Sequence, residues 1–130
     1  MYPIQVKNLI NKINWKGLYF GGVAFKYQKP VNDLIKATKI ACKYLDVITT
    51  SGTGTGIAAE PKKITTMAKI IKKKNKTLAI ASGITIDNIK NYKYVKYFLV
   101  ATGISKDFFT FNSSLVKELS DKINELNQLK

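Results

Sequence analysis

The chain contains no arginine, no histidine and only one cysteine among its 130 residues. Without histidine, the Ser-His and Cys-His nucleophile pairs and the usual zinc ligands are excluded. We therefore expect neither a metal nor a cofactor, and any catalysis must use lysine, acidic, tyrosine or hydroxyl side chains and backbone dipoles. The one thiol, Cys42, excludes an intrachain disulfide and suits a reducing compartment.

Long apolar runs are also absent. No stretch approaches the roughly 20 residues that a membrane-spanning helix needs, and the start MYPIQVKNLINK lacks the apolar core of a signal peptide. We expect no membrane span and a cytoplasmic location. The length predicts one domain over residues 1–130, which is too short for a complete (β/α)8 barrel of about 200 residues or more.

Acidic residues are few, 8 against 22 basic residues, and the net charge is +14. Such a charge is typical of nucleic-acid binding, but every basic residue is a lysine, and recognition of phosphates and bases favours the planar fork of arginine. The lysines are scattered apart from those at 72–76, where they complement a helix dipole. We therefore do not expect nucleic acid as a partner; binding through lysine charge alone would weaken steeply with salt.

Apolar periodicity predicts a helix followed by four strand-helix units. The strands are continuously apolar, which is typical of a parallel sheet covered by helices. The predicted class is therefore α/β with parallel βα repeats. The expected elements are a helix over 3–13, strands at Leu18–Phe25, Asp46–Thr50, Thr77–Ala81 and Tyr97–Ala101, and helices that begin near Pro30, Pro61, Thr85 and Asn112 or Ser113.

Two similar tetrapeptides follow the third and fourth predicted strands. They read Ser82-Gly-Ile-Thr85 and Thr102-Gly-Ile-Ser105. A strand that ends in Ser-Gly or Thr-Gly before a helix leaves backbone N–H groups and a hydroxyl available to an anion. Two such turns, one βα unit apart, form the phosphate grip after strands 7 and 8 of a (β/α)8 barrel. We predict phosphate binding by Ser82, Gly83, Ile84, Thr102, Gly103 and Ile104; tight turning is the alternative use of the glycines.

A glycine-rich loop, Gly52–Gly56, follows the second predicted strand. It lacks the third glycine of a dinucleotide fingerprint, because Ile57 holds that position, and it lacks the Gly-Lys-Ser/Thr ending of a P-loop. The loop is rich in hydroxyls and suits a polar ligand, although a flexible turn would explain it equally. The predicted ligand-loop residues are Thr50, Ser51, Gly52, Thr53 and Gly54.

Three side chains are candidates for catalysis at the carboxyl ends of the strands. Lys26 lies near the end of the first predicted strand, where an amine can hold a phosphate or form a Schiff base. Glu60 and Asp107 fall in loops at the same end and are candidate general acids or bases. No paired-carboxylate spacing supports either acid, and the other acidic residues have structural explanations.

Three segments resemble the C-terminal half of phosphate-binding TIM barrels of the ribulose-phosphate-binding superfamily, and most of all BtpA-like proteins. They are DVITTSGTGTG at 46–56, LAIASGITIDNI at 78–89 and FLVATGISKDF at 98–108, which match strands 6, 7 and 8 with their following loops. The resemblance implies a half-barrel with a phosphate at Ser82–Ile84 and Thr102–Ile104. Strands 1 to 4 are missing, so two copies, a second chain that supplies the front half, or a truncated gene product remain open. A flavodoxin-like open sheet is the alternative fold.

Two functions follow from these patterns. The first is a phosphate-binding TIM-barrel-type protein that acts on a small phosphorylated metabolite, a sugar phosphate or nucleotide, as an isomerase, lyase or transferase. The second is a non-catalytic half-barrel that serves as an assembly or regulatory module and is completed by a partner chain. In both cases we expect a homo-oligomer or a chain that supplies the missing strands.

Overall fold

The computed structural model describes residues 2–129. Within this range, four parallel strands form one sheet whose order follows the chain, β1-β2-β3-β4. The strands are β1 (Phe20–Gly22), β2 (Val47–Ser51), β3 (Thr77–Ala81) and β4 (Tyr97–Leu99), and the helices are α1 (Pro3–Lys12), α2 (Leu34–Tyr44), α3 (Pro61–Lys73) and α4 (Ser113–Gln128). Two 3₁₀ turns lie at Ile89–Tyr92 and Thr102–Ile104.

The strand order decides between the two predicted folds. All three strand pairs are parallel and each strand lies beside its neighbour in sequence. A flavodoxin-like sheet reverses its strand order at a switch point, and no reversal occurs here. The prediction of parallel βα repeats is confirmed, and the flavodoxin-like alternative is wrong.

The first strand is shorter than predicted, three residues against the expected Leu18–Phe25. Ala24 and Tyr27 adopt positive φ angles of 48° and 62°, which turn the chain out of the sheet just after β1. Lys26 therefore lies in a loop and not at the end of a strand. In this apolar segment Val23 is buried in the core beyond the end of the strand, while Leu18 and Phe20 are exposed.

The two faces of the sheet differ in what covers them. Ile48, Leu78 and Ile80 point towards the helices and belong to one core cluster with Ile64 and Met67 of α3. Alternate residues line the opposite face, and most of them are small or β-branched: Val47, Thr49, Ala79 and Ala81. On this second face the rings of Phe20 in β1 and Tyr97 in β4 lie 5.4 Å apart, so the sheet curves enough for its two outer strands to touch through their side chains.

Polar caps and proline set the starts of the helices. The Asp33 carboxylate accepts a hydrogen bond from the amide of Lys36 at the start of α2, and the Asn112 side chain accepts from the amides of Ser114 and Leu115 at the start of α4. Pro61 is the first residue of α3, where its fixed φ suits a helix. No helix within residues 2–129 is both long and apolar enough to cross a membrane.

Candidate functional site

Lys26 joins three loops at the carboxyl ends of the strands. Its ammonium Nζ donates hydrogen bonds to Ser82 Oγ, at 2.7 Å, and to Thr55 Oγ1, at 3.3 Å. Its backbone amide donates to Ser51 Oγ, at 2.7 Å. The loop after β1 therefore contacts the loops after β2 and β3. This brings together Lys26, Ser51 and Ser82, all of which the sequence placed in the site.

Lys63 contributes a second ammonium to the same end of the sheet, and the sequence analysis missed it. Its Nζ donates to the carbonyl oxygens of Ala24 and Ser51, at 2.6 and 2.7 Å. Burial lowers the pKa of this lysine from its ordinary value, and the carboxylate charge of Glu60 opposes that shift. Lys63 thus fastens the strained turn after β1 to the end of β2. No local pattern distinguishes it among 22 lysines.

Tyr27 is a second residue at this end of the sheet that the sequence analysis missed. Its phenol oxygen lies 3.3 Å from the amide nitrogen and 3.4 Å from the hydroxyl oxygen of Thr55. Hydrogen bonds from the hydroxyl and then from the amide of Thr55 lower the pKa of this phenol, and the nearby charge of Lys26 acts in the same direction. Tyr27 and Lys26 therefore both contact Thr55 and hold the glycine-rich loop over the end of the sheet.

Backbone packing explains two glycines of the predicted site. A Cβ on Gly52 would overlap the carbonyl oxygen of Ile57, and a Cβ on Gly83 would overlap the backbone of Ala58. The segment at Ile57 and Ala58 is thus packed between the two glycines. Gly83 also has a φ of +70°, which L side chains rarely adopt. Glycine is therefore required at both positions by packing, whatever ligand binds.

The two predicted phosphate-binding turns are in direct contact. A Cβ on Gly103 would overlap the carbonyl oxygen of Ile84, so the backbones of the two turns are packed against each other. Within residues 2–129, the amides of Gly83, Ile84, Thr102 and Gly103 donate to no protein acceptor. Unpaired backbone N–H groups that lie in adjacent turns are suited to an anion.

Asn88 supports the first of these turns. Its side-chain amide donates to the carbonyl oxygen of Gly83, at 2.6 Å, and its Oδ1 accepts from the amide of Thr85, at 2.9 Å. The Thr85 hydroxyl accepts in return from the amide of Asn88, at 3.3 Å. The short helix expected after Thr85 is only the 3₁₀ turn Ile89–Tyr92. The reciprocal pair has the arrangement of a capping box, with Asn88 in place of the usual Glu or Gln.

The other predicted site residues lie apart from the Lys26 contacts. Asp107 is exposed and its carboxylate accepts from the amide of Phe109, at 2.8 Å, as in an Asx turn. Glu60 is exposed at the start of α3, and Thr53 is exposed in the loop. The buried Thr50 hydroxyl lies 3.4 Å from the Ala24 carbonyl oxygen, and the carbonyl of Gly54 accepts from the amide of Ile57.

Across residues 2–129, no three Cys, Asp or Glu side chains gather as metal ligands would.

Comparison with known proteins defines the fold. No protein-family model matches the chain, and no curated protein matches it in sequence. The structure is similar to the crystal structure of phosphoribosyl anthranilate isomerase from Thermus thermophilus, with a TM-score of 0.54 and 15% sequence identity, over 100% of this chain and 70% of that chain. The fold is of the TIM-barrel type. At this identity the likeness establishes the architecture, in agreement with the prediction, and the resemblance to BtpA-like proteins stays a prediction.

Proposed function

We propose that this chain is a one-domain cytoplasmic protein that binds a small phosphorylated metabolite at the carboxyl ends of its strands. The observation that carries the proposal is the pair of packed turns at Ser82–Ile84 and Thr102–Ile104, which have four unpaired amides and of which the first contacts the Lys26 ammonium through the Ser82 hydroxyl. Backbone N–H groups and a nearby positive charge are the features that phosphate recognition uses. The ligand class we propose is a sugar phosphate or a nucleotide.

Each part of the site has a proposed role. The amides of the two turns and the hydroxyls of Ser82 and Thr102 hold the phosphate. Lys26 then faces the part of the ligand next to the phosphate, where an ammonium stabilises developing negative charge or an amine attacks a carbonyl. Binding of the phosphate would position the reacting end of the ligand, which lowers the entropic part of the barrier.

The fold and the available groups support three reaction classes. Isomerisation, aldol-type cleavage and group transfer near the phosphate can all use an anion grip and a lysine, and none of them requires histidine. The similar solved structure is an isomerase of a phosphoribosyl compound by its name, which favours isomerisation among the three. Glu60 and Asp107 stay candidates for proton transfer, and the BtpA-like proteins are the family we propose for the chain.

A second candidate function is favoured by the open edges of the sheet. Strands β1 and β4 each pair on one side only within residues 2–129, and Phe20 and Leu99 on these edges are 39% and 49% exposed. Unpaired edge strands with apolar side chains invite pairing with another chain. A half-barrel completed by a second copy or by a partner, and serving as an assembly or regulatory module, would account for these edges without any catalysis.

The test is an amide NMR titration with inorganic phosphate and then with ribose 5-phosphate, with the oligomer size recorded by light scattering on the same sample. Saturable shifts centred on Gly83 and Gly103 support the phosphate site. Absence of such shifts, or equal shifts over all lysine-rich surfaces, contradicts it. Assembly into a dimer without ligand shifts would favour the module.

A further inference from the structure

The connection between β3 and β4 lacks the helix that the other connections have. Helices α2 and α3, with 11 and 13 residues, fill the first two connections. The third contains only the four-residue 3₁₀ turn Ile89–Tyr92, and both α3 and α4 pack against that turn. A cavity of about 860 Å³ lies at this place, between α3, the start of β3 and the end of α4.

The cavity has an apolar bottom and a basic rim. Helix α3 presents Thr65, Ala68, Lys69 and Lys72 to it, which is the i, i+3, i+4, i+7 spacing of one helix face. Ile71 and Leu78 form the bottom of the cavity. The cavity lies at the amino ends of the strands, since Thr77 begins β3, and therefore at the opposite end of the sheet from the Lys26 site.

Five lysines line the cavity: Lys69, Lys72, Lys76, Lys93 and Lys96. No lining side chain in the described part of the chain is acidic. Lys76 forms an ion pair with Asp46, at 3.6 Å, from outside the lining, and the Lys93 ammonium lies over the ring of Tyr94, 5.1 Å from its centroid. Most of this positive charge is therefore not neutralised within the protein, and an anionic partner would relieve the repulsion.

We propose that this groove binds an acidic amphipathic helix of a partner protein. An apolar bottom under a rim of lysines matches a helix with one apolar face and flanking carboxylates. Charge complementarity selects an acidic helix over a basic or neutral one. A polyphosphate or nucleic-acid backbone would use the lysines but leave the apolar bottom without a partner, so the groove fits a peptide better. The proposal does not depend on the phosphate site.

The probe is a fluorescein-labelled peptide of about 15 residues that repeats Leu and Glu at helical spacing, and the readout is fluorescence anisotropy. We expect saturable binding that weakens about tenfold in the double variant Lys69→Glu/Lys72→Glu, the effect of replacing attraction by repulsion at two rim positions. The matched control is Lys36→Glu/Lys39→Glu, which has the same spacing and charge change on α2. It should alter affinity by less than about twofold.

Two control measurements can overturn the proposal. A peptide of the same composition in scrambled order must bind at least about fivefold more weakly, because scrambling removes the apolar face but not the charge. Equal binding of the two peptides, or equal weakening by the two double variants, would show attraction to net charge alone and would overturn the proposal. Binding of linear polyphosphate but not of the peptide would assign the groove to a polyanion and overturn it as well. Circular dichroism of each variant confirms that it is folded.

Discussion

The ammonium nitrogen of Lys26 lies 2.7 Å from the hydroxyl oxygen of Ser82, which is 56 residues further along the chain. The contact spans β2, because Lys26 follows β1 and Ser82 follows β3. Ser82 itself has a φ of 72°, a conformation that costs energy in a non-glycine residue and is concentrated at functional sites. The lysine thus reaches the first residue of a predicted phosphate-binding turn.

Replacement of Lys26 by methionine should weaken ribose 5-phosphate binding about tenfold. A charge-assisted hydrogen bond contributes about 1.5–3 kcal/mol, and methionine keeps the length of the side chain without its charge. Lys29→Met is the control, since Lys29 is exposed and close in sequence, and its affinity should stay within about twofold. Isothermal titration calorimetry measures both. Equal losses in the two variants would mean that Lys26 acts only through net charge.

Gly103→Ala should lower the free energy of unfolding by about 2 kcal/mol or more. The added methyl group would overlap the Ile84 carbonyl oxygen, and backbone on both sides leaves no flexible side chain to move away. Urea denaturation followed by circular dichroism measures the change. Gly54→Ala is the comparison, because its nearest neighbour is the Cδ1 atom of Ile57 at 3.3 Å, and it should change stability by less than about 1 kcal/mol. Similar stabilities of the two variants would contradict the close packing of the two turns.

Lys63→Met should destabilise the protein by about 1–3 kcal/mol, because it removes the ammonium that donates to the carbonyl oxygens of Ala24 and Ser51. Lys62→Met, one residue earlier and exposed, should have little effect. Chemical denaturation at neutral pH measures the free energy of unfolding of both variants. If Lys63→Met were neutral, the turn after β1 would be held by other contacts.

The pH dependence of stability gives a separate test of Lys63. Burial lowers the pKa of Lys63 below its ordinary value of 10.5, so the unfolded chain binds this proton more tightly than the folded one. The contribution of Lys63 to the free energy of unfolding therefore rises with pH. The rise covers the range from the lowered pKa of the folded state to the ordinary value of 10.5. The free energy of unfolding of the wild type, minus that of Lys63→Met, should increase over this window. A flat difference would show that burial does not shift the pKa of Lys63, and a falling one that the ammonium is stabilised where it lies.

Thr49→Val should raise the free energy of unfolding by about 1 kcal/mol. The Thr49 hydroxyl is buried on the second face of the sheet and has no hydrogen-bond partner within residues 2–129, and an unpaired buried hydroxyl costs free energy. Thr38→Val is the matched control: Thr38 is also buried, but its hydroxyl donates to the carbonyl oxygen of Leu34, at 2.7 Å. It should destabilise by about 1 kcal/mol. Thermal unfolding of both variants shows whether the two changes in the free energy of unfolding have opposite signs, as expected.

Local patterns predicted much of the architecture. The bounds of β3, Thr77–Ala81, agree with the prediction, because a short continuous apolar run between polar turns is typical of a buried strand. Cys42, on α2, is 6% exposed in the core. Asp46 was expected to have a structural role, and its carboxylate accepts from the amide of Tyr19. The strand depends on a local pattern, whereas the Asp46 contact joins residues 27 positions apart in the chain.

The sequence by itself determined the order and type of most elements, the parallel sheet and the two Ser/Thr-Gly turns, because hydrophobic periodicity and turn chemistry are local properties. The sequence also named Lys26, but only the tertiary structure decided what Lys26 contacts and that Lys63 belongs to the same end of the sheet. Lys26 and Lys63 are distinguished from the other lysines by contacts with Ser82 and with the Ala24 carbonyl, which lie 56 and 39 residues away. It also decided that Gly83 and Gly103 are required by backbone packing. Such contacts depend on how distant segments fold together, and composition or spacing does not encode them locally.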